Sequence, residues 1–148
     1  MELTEGWVAI PADDELRRTF ADPDLDVSAW EPIRVPGHWR STPAFADHDG
    51  PLFHRVRFVR RSALPGRRFW LRFDGLFLQG DVWLDGGYLG DTEGWFAPHS
   101  FEITDAVAER SEHVLAVELT CPPASEAALK QGITGALHDP RMVEPGWN

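Results

Sequence analysis

Paired acidic side chains are the first residues in this sequence whose types and spacing could do chemistry, because neighbouring carboxyl groups can act as general acid and base. Three such pairs occur: Asp13/Asp14, Asp22/Asp24 and Asp47/Asp49. Each lies in a polar stretch without hydrophobic periodicity, and Asp22-Pro23-Asp24 is typical of a turn. We interpret these acids as solvated loop residues and turn formers, and we assign no catalytic role to them.

Metal-ligating and nucleophilic patterns give no stronger candidate. The six histidines form neither an HExxH nor an HxH pair, and His48, between two aspartates, is at most a weak cation ligand. The single cysteine, Cys121, cannot form an internal disulfide and is predicted to be a small buried residue. Phosphate-binding loops and nucleophile elbows are not visible. We therefore predict no metal and no cofactor.

Aromatic residues are plentiful: seven Trp and nine Phe stand against one Tyr. Most are expected in a core, which aromatic side chains fill efficiently. Trp95 follows Glu93-Gly94 in a predicted loop, and an exposed aromatic loop indicates a binding site or a domain interface. Trp70 and Trp83 alternate with core positions, so they are predicted to face the opposite surface of a sheet, where another domain would cover them.

The charge balance excludes two classes of partner. A net charge of −10 and a pI of about 4.9 disfavour binding to nucleic acids and to anionic membranes. The sequence starts MELTE, which lacks the basic and apolar regions of a signal peptide. We expect a cytoplasmic protein that binds neither nucleic acid nor membrane.

The elements that must position any site are predicted to be strands. Leu52, His54, Val56 and Phe58 share one face of an alternating segment, and Asp85-Gly86 between alternating residues is a strong hairpin signal. Six or seven such segments predict an all-β fold, an antiparallel β-sandwich with one buried and one solvated face per sheet. A closed barrel is the main alternative. Outside the strands we predict a short helix over residues 13–18 and a helical turn from Thr104 to Glu109.

Three stretches in order carry a family resemblance: WEPIRVPGHW at 30–39, LRFDGL at 71–76 with DVWLDG at 81–86 and LG at 89–90, and FEITD at 101–105 with LAV at 115–117. Together, over about residues 7–121, they resemble the sugar-binding domain of glycoside hydrolase family 2. Asp85 stands where that family usually has Asn, a change that a tight turn tolerates.

The resemblance implies a jelly-roll β-sandwich, similar to galactose-binding-like domains, over residues 1–121. It implies that residues 122–148 are a linker toward a missing following domain. In the family an immunoglobulin-like sandwich and a (β/α)8 barrel follow, and the barrel carries the two catalytic Glu residues. Because a barrel needs roughly 200 residues, the resemblance leaves open whether this chain alone is an enzyme.

The resemblance also suggests sugar contacts. The loop after Val35-Pro36 can reach toward the barrel's substrate pocket, and His38 occupies the position of an Asn in β-galactosidases. A histidine can exchange hydrogen bonds with a sugar hydroxyl. Trp39 could stack on a sugar face or plug the end of the sandwich. Trp95 is the third candidate for sugar contact.

Three functions fit these observations. The first is a non-catalytic N-terminal domain of a glycoside hydrolase that acts on O-glycosyl (β-glycosidic) bonds in carbohydrate metabolism. It would support the barrel and line the substrate pocket, with a β-glycoside and the immunoglobulin-like and barrel domains as partners. The second is a stand-alone carbohydrate-binding module. The third is a structural or protein-interaction sandwich without a role in sugar binding.

Overall fold

The computed structural model of the chain describes residues 1–60, 66–76, 79–94 and 97–120. Within these ranges the chain forms eight strands: β1 Val8–Pro11, β2 Glu31–Pro32, β3 Leu52–Val59, β4 Trp70–Phe73, β5 Gln79–Leu84, β6 Gly87–Glu93, β7 His99–Glu102 and β8 Glu112–Thr120. Six of them form a sheet in the order β2-β1-β3-β8-β5-β6, and β4 pairs with β7 in a second sheet. All strand pairs are antiparallel.

The main core lies between the two sheets. The larger sheet contributes Leu52, Val56, Leu115 and Val117, all at most 2% exposed, and the smaller sheet contributes Leu71. Phe69, Phe73 and Phe101 pack against this cluster from the smaller sheet's side. The strict alternation of these apolar residues in the sequence placed them on inward faces, so the predicted all-β, antiparallel sandwich of the jelly-roll class is confirmed.

The predicted hairpin is also confirmed. β5 and β6 are joined at Asp85 and Gly86, whose φ angles are 51° and 83°. Positive φ at both central residues is the backbone of the tight turn that suits the right-handed twist of paired strands. Asp85 is the one non-glycine residue with positive φ in the described part of the chain.

The outer face of the large sheet differs from the prediction. A segment that we call the strap, residues 12–30, covers that face and forms a second apolar cluster with it. The Phe20 ring stacks on Phe53 of β3 with centroids 4.0 Å apart, and it meets the Trp83 ring of β5 edge-on at 4.8 Å. The expectation of one solvated face per sheet was therefore wrong for β3. Trp83 does face the outer surface, but the chain's own strap packs there.

Local predictions near the N-terminus were only partly right. The helix expected over residues 13–18 is a single 3-10 turn, Leu16–Arg18, whose first amide donates to the Asp13 carboxylate at 2.7 Å. An Asp22-Pro23 turn follows closely, so there is no room for further helical turns. The stretch before it contains β1, which pairs with β3. Elsewhere in the chain, the helical turn expected from Thr104 to Glu109 is a series of turns over residues 104–108, in which the Ala108 amide donates to the Asp105 carbonyl.

In the part of the chain that the structure describes, none of the helices has the length and apolar character needed to cross a membrane.

Candidate functional site

A loop between β2 and β3 carries two of the predicted contact residues, His38 and Trp39. The loop begins at buried Ile33, whose amide donates to the Trp7 carbonyl at 3.0 Å, and it contains a cis peptide bond between Val35 and Pro36. The hydrogen bond to Trp7 ties the start of the loop to the residue that precedes β1.

His38 caps a 3-10 helix that spans Trp39–Ser41. Its Nδ1 atom accepts a hydrogen bond from the Arg40 amide at 3.1 Å, and its carbonyl accepts one from the Ser41 hydroxyl at 2.6 Å. Because Nδ1 is an acceptor here, the ring proton of a neutral His38 lies on Nε2. The side chain is half-buried. His38 therefore combines a local structural role with a ring that reaches the molecular surface.

Trp39 lies within the main core and is only 6% exposed. Three histidine rings surround its indole, with centroid distances of 5.7 Å to His38, 6.5 Å to His48 and 6.4 Å to His54. The indole Nε1 atom is buried and has no hydrogen-bond acceptor among the described residues. A buried N–H group without an acceptor is energetically unfavourable.

A cleft of about 880 Å³ lies between the two sheets and brings His38, Trp39 and His54 together. Its other walls include Val117 and Leu119 of β8 and Phe73 of β4. A mostly apolar concave surface with a few polar groups is the usual form of a small-molecule or domain-contact site. Trp95, the third predicted contact residue, lies outside the described residues, so its sugar contact stays a prediction.

His54 is the residue of this site to which the sequence assigned no role. It occupies an inward position of β3, as the alternation predicted, and is 6% exposed. Burial lowers the pKa of His54 to about 4, although the nearby Leu52 carbonyl acts in the opposite direction. The imidazole is thus neutral near neutral pH. A histidine among Leu52, Val56 and Phe58 was the available signal, but polar residues at single core positions are too common to reveal a site.

The acidic pairs of the sequence have local roles. Asp22 accepts a hydrogen bond from the Asp24 amide at 2.9 Å, and Asp14 forms an ion pair with Arg17. Asp49 forms an ion pair with Arg40. His48 Nε2 lies 3.0 Å from the Pro51 carbonyl, so it donates to that oxygen. Among the described residues, no group of three or more His, Cys, Asp or Glu side chains is arranged to hold a metal ion.

These features define a galactose-binding-like β-sandwich with a cleft between its sheets. The family model described as "Glycosyl hydrolase 2 galactose-binding domain-like" matches residues 52–145, and the chain belongs to this family.

Curated relatives agree with this assignment. The chain is 28% identical over 131 residues to a β-galactosidase of Priestia megaterium, a match that covers 73% of the chain and 12% of the relative. It is 25% identical over 96 residues to a putative β-glucuronidase of Formosa agariphila, with 57% of the chain and 9% of the relative covered. The chain thus spans about an eighth or less of the length of these two relatives.

Solved structures show the same fold. A β-glucuronidase of Bifidobacterium dentium, in complex with coumarin-3-O-glucuronide, superposes with a TM-score of 0.68 and 29% identity, covering 80% of this chain and 19% of that one. A glycosyl hydrolase family 2 member of Bacteroides cellulosilyticus has a TM-score of 0.69 at 21% identity, with 83% and 18% covered. The second likeness concerns the fold alone.

Proposed function

We propose that this chain is the non-catalytic N-terminal domain of a glycoside hydrolase that acts on β-glycosidic bonds. The observation that carries the proposal is the family match over 94 of its residues, positions 52–145, to a galactose-binding-like domain that makes up a small part of much longer glycosidases. β-Galactosides and β-glucuronides are the substrate classes that the relatives' names suggest. In this proposal the domain supports the catalytic barrel, and the loop with His38 contributes to the rim of the substrate pocket.

The coding DNA downstream of the Asn148 codon provides the first test. We expect the reading frame to encode an immunoglobulin-like domain and a barrel with two Glu residues at strand ends. The 148-residue chain itself should hydrolyse neither nitrophenyl β-galactoside nor nitrophenyl β-glucuronide. Hydrolysis that persists through rigorous purification of the chain would contradict the proposal.

A second test addresses His38 in the longer protein. Loss of one hydrogen bond to a sugar hydroxyl should raise KM roughly 3- to 10-fold in His38→Ala while kcat changes little. His48→Ala is the matched control, since His48 also contacts Trp39 but does not line the cleft. Equal kinetic effects in the two variants would argue that the loop acts only through its structure.

The cleft itself favours a second candidate, a stand-alone carbohydrate-binding module, because Trp39 and His38 line it. Titration calorimetry of the chain against β-linked oligosaccharides separates the two functions. We expect no submillimolar binding for a domain that completes its site with neighbouring domains. Submillimolar binding that disappears in Trp95→Ala or His38→Ala would instead support the module.

A further inference from the structure

The two sheets of the sandwich are unequal, and the smaller one covers only part of the larger. In the described part of the chain the smaller sheet has two strands and the larger has six. β7 lies above β6, at one edge of the larger sheet, since a Cβ atom placed on Gly90 would stand 2.9 Å from the Phe101 ring. The cleft opens over the central strands β3 and β8, from which Phe58, Leu115 and Val117 line it. An apolar sheet face of this kind needs another layer to pack against it.

The cleft runs along one edge of β4. All four residues of β4, Trp70–Phe73, line the cleft, whereas none of the β7 residues, His99–Glu102, does so. Successive residues of a strand point to opposite faces, so a cleft that touches all four lies beside β4 and not over one of its faces. Among the described strands, β4 pairs with β7 alone. The edge of β4 that borders the cleft therefore has no neighbouring strand in the described part of the chain.

The backbone of this edge is oriented for pairing. The Phe69 carbonyl accepts a hydrogen bond from the Ile103 amide at 2.9 Å, one residue before β4 begins. In an antiparallel pair every second residue exchanges hydrogen bonds with the partner strand, so Leu71 also directs its backbone groups toward β7. The N–H and C=O groups of Trp70 and Arg72 then point away from β7, toward the cleft. Such an edge is a template for one more strand.

We propose that the cleft is the docking site for a β-strand of a partner polypeptide, which pairs with β4 as the third strand of the smaller sheet. Strand addition of this kind obtains affinity from main-chain hydrogen bonds and specificity from alternate side chains. The partner's inward side chains meet Phe58, Leu115 and Val117, so they should be apolar. The inference rests on the geometry of the two sheets and does not depend on the proposed glycosidase function.

The charges around the cleft favour a partner strand with acidic residues at its outward positions. The cleft is lined by three cationic side chains, Arg34, Arg60 and Arg72, and by two acidic ones, Glu2 and Asp74. This local excess of positive charge contrasts with the net charge of −10 of the whole chain. The cleft thus attracts an acidic strand that the rest of the molecule repels, and such complementarity determines where a partner binds.

The remaining sequence of the chain lacks a strand with the required pattern. A strand with one buried face has apolar residues at every second position. In residues 121–148, which lie outside the described residues, no two large apolar residues stand two positions apart. The other stretches outside the described residues are at most five residues long. We therefore assign the docked strand to another polypeptide.

Titration calorimetry of the 148-residue chain with synthetic peptides tests this proposal. The probe is a decapeptide of alternating valine and glutamate, blocked at both ends, and the matched control has the same composition with its valines grouped at one end. We expect submillimolar binding of the alternating peptide and weaker binding of the grouped one, by about tenfold or more. Equal affinities, or no binding of either peptide, would overturn the proposal.

A peptide of alternating valine and lysine tests the chemistry assigned to the partner. At low ionic strength it should bind more weakly than the glutamate peptide, although the chain as a whole is acidic. Tighter binding of the lysine peptide would show that the arginines around the cleft do not select the partner, and the assignment of an acidic strand would be wrong.

Two substitutions at one position separate backbone pairing from charge. Arg72→Pro removes the N–H group that points toward the cleft, whereas Arg72→Ala removes the same guanidinium and keeps the N–H. Loss of one hydrogen bond should make the glutamate peptide bind about 3- to 10-fold more weakly to Arg72→Pro than to Arg72→Ala. Circular dichroism checks that both variants are folded. Equal affinities of the two folded variants would contradict pairing with β4.

Amide NMR of the wild-type chain locates the peptide without any substitution, so it also decides the matter if Arg72→Pro does not fold. The glutamate peptide should shift the amide signals of Trp70 and Arg72 and leave those of the strap, on the opposite face of the large sheet, unchanged. Shifts confined to the strap would place the peptide elsewhere and refute the proposal. Sedimentation of the chain alone should show a monomer, and a dimer that the peptide dissociates would assign the cleft to a second copy instead.

Discussion

At the residue scale, the burial of His54 makes the stability of the chain depend on pH. Its pKa is lowered by burial from 6.5 to about 4, so the unfolded chain binds a proton between these values that the folded chain does not. Stability is therefore complete above about pH 6.5 and falls as the pH drops toward about 4, by on the order of 3 kcal/mol.

The variant His54→Leu removes this titration while keeping a side chain of similar size beside Trp39. We expect its free energy of unfolding, measured with urea, to fall less than that of wild type between about pH 6.5 and about pH 4. His48→Leu, which retains His54, should still show the acid-side loss. If the free energies of unfolding of wild type and His54→Leu changed equally with pH, burial would not lower the pKa of His54 in the folded chain.

At the element scale, the strap depends on Phe20, which is 1% exposed between Phe53 and Trp83. Phe20→Ala leaves a cavity in the second apolar cluster, and such changes lower the free energy of unfolding by about 3–5 kcal/mol. Leu25→Ala, a half-buried position in the same cluster, should lower it by less than half as much. Thermal and urea unfolding measure both losses, and equal losses would show that Phe20 does not anchor the strap.

The strands, but not the strap, could be predicted from the sequence. Alternation reveals strands whose outer face is exposed, as in β4, where exposed Trp70 and Arg72 stand on either side of buried Leu71. β3 carries Arg55 and Arg57 on its outer face, and arginine residues on a strand predict that this face is exposed to solvent. In the structure the Arg55 guanidinium is buried and donates to the backbone carbonyls of Phe20, at 2.7 Å, and Pro23, at 3.1 Å. Because these two acceptors lie 35 and 32 positions from Arg55 in the chain, no local sequence pattern predicts its burial.

The candidate site could likewise be predicted only in part from the sequence. The motif singled out His38 and Trp39, and both line the cleft, while their contact with sugar stays a prediction. His54 belongs to the site because β3 and the loop that carries Trp39 lie side by side in the fold. The periodicity of the sequence does not reveal that contact. The proposed linker at 122–148 lies outside the described residues, so the domain boundary at residue 121 stays a prediction, as does the cytoplasmic location.

At the scale of the whole molecule, the six-stranded sheet packs against an apolar cluster on each of its two faces. Successive residues of β3, Leu52 and Phe53, enter the main core and the second cluster, and Leu115 and Ala116 do the same in β8. Loss of either layer exposes the opposite side of the same strands and removes packing that holds their hydrogen-bonded ladder in place. The two clusters are therefore expected to unfold together, although they lie on opposite faces of the sheet.

This coupling predicts a single transition, because a strand cannot lose its packing on one face and keep its ladder unchanged on the other. Urea unfolding followed by tryptophan fluorescence and by far-ultraviolet circular dichroism should give coincident curves for the wild-type chain. Phe20→Ala on the strap side and Leu115→Ala in the main core should lower both midpoints together without changing the slope m. An early fluorescence transition in Phe20→Ala, with the circular dichroism curve unmoved, would instead mean that the strap detaches from an intact sandwich and that the two layers are independent.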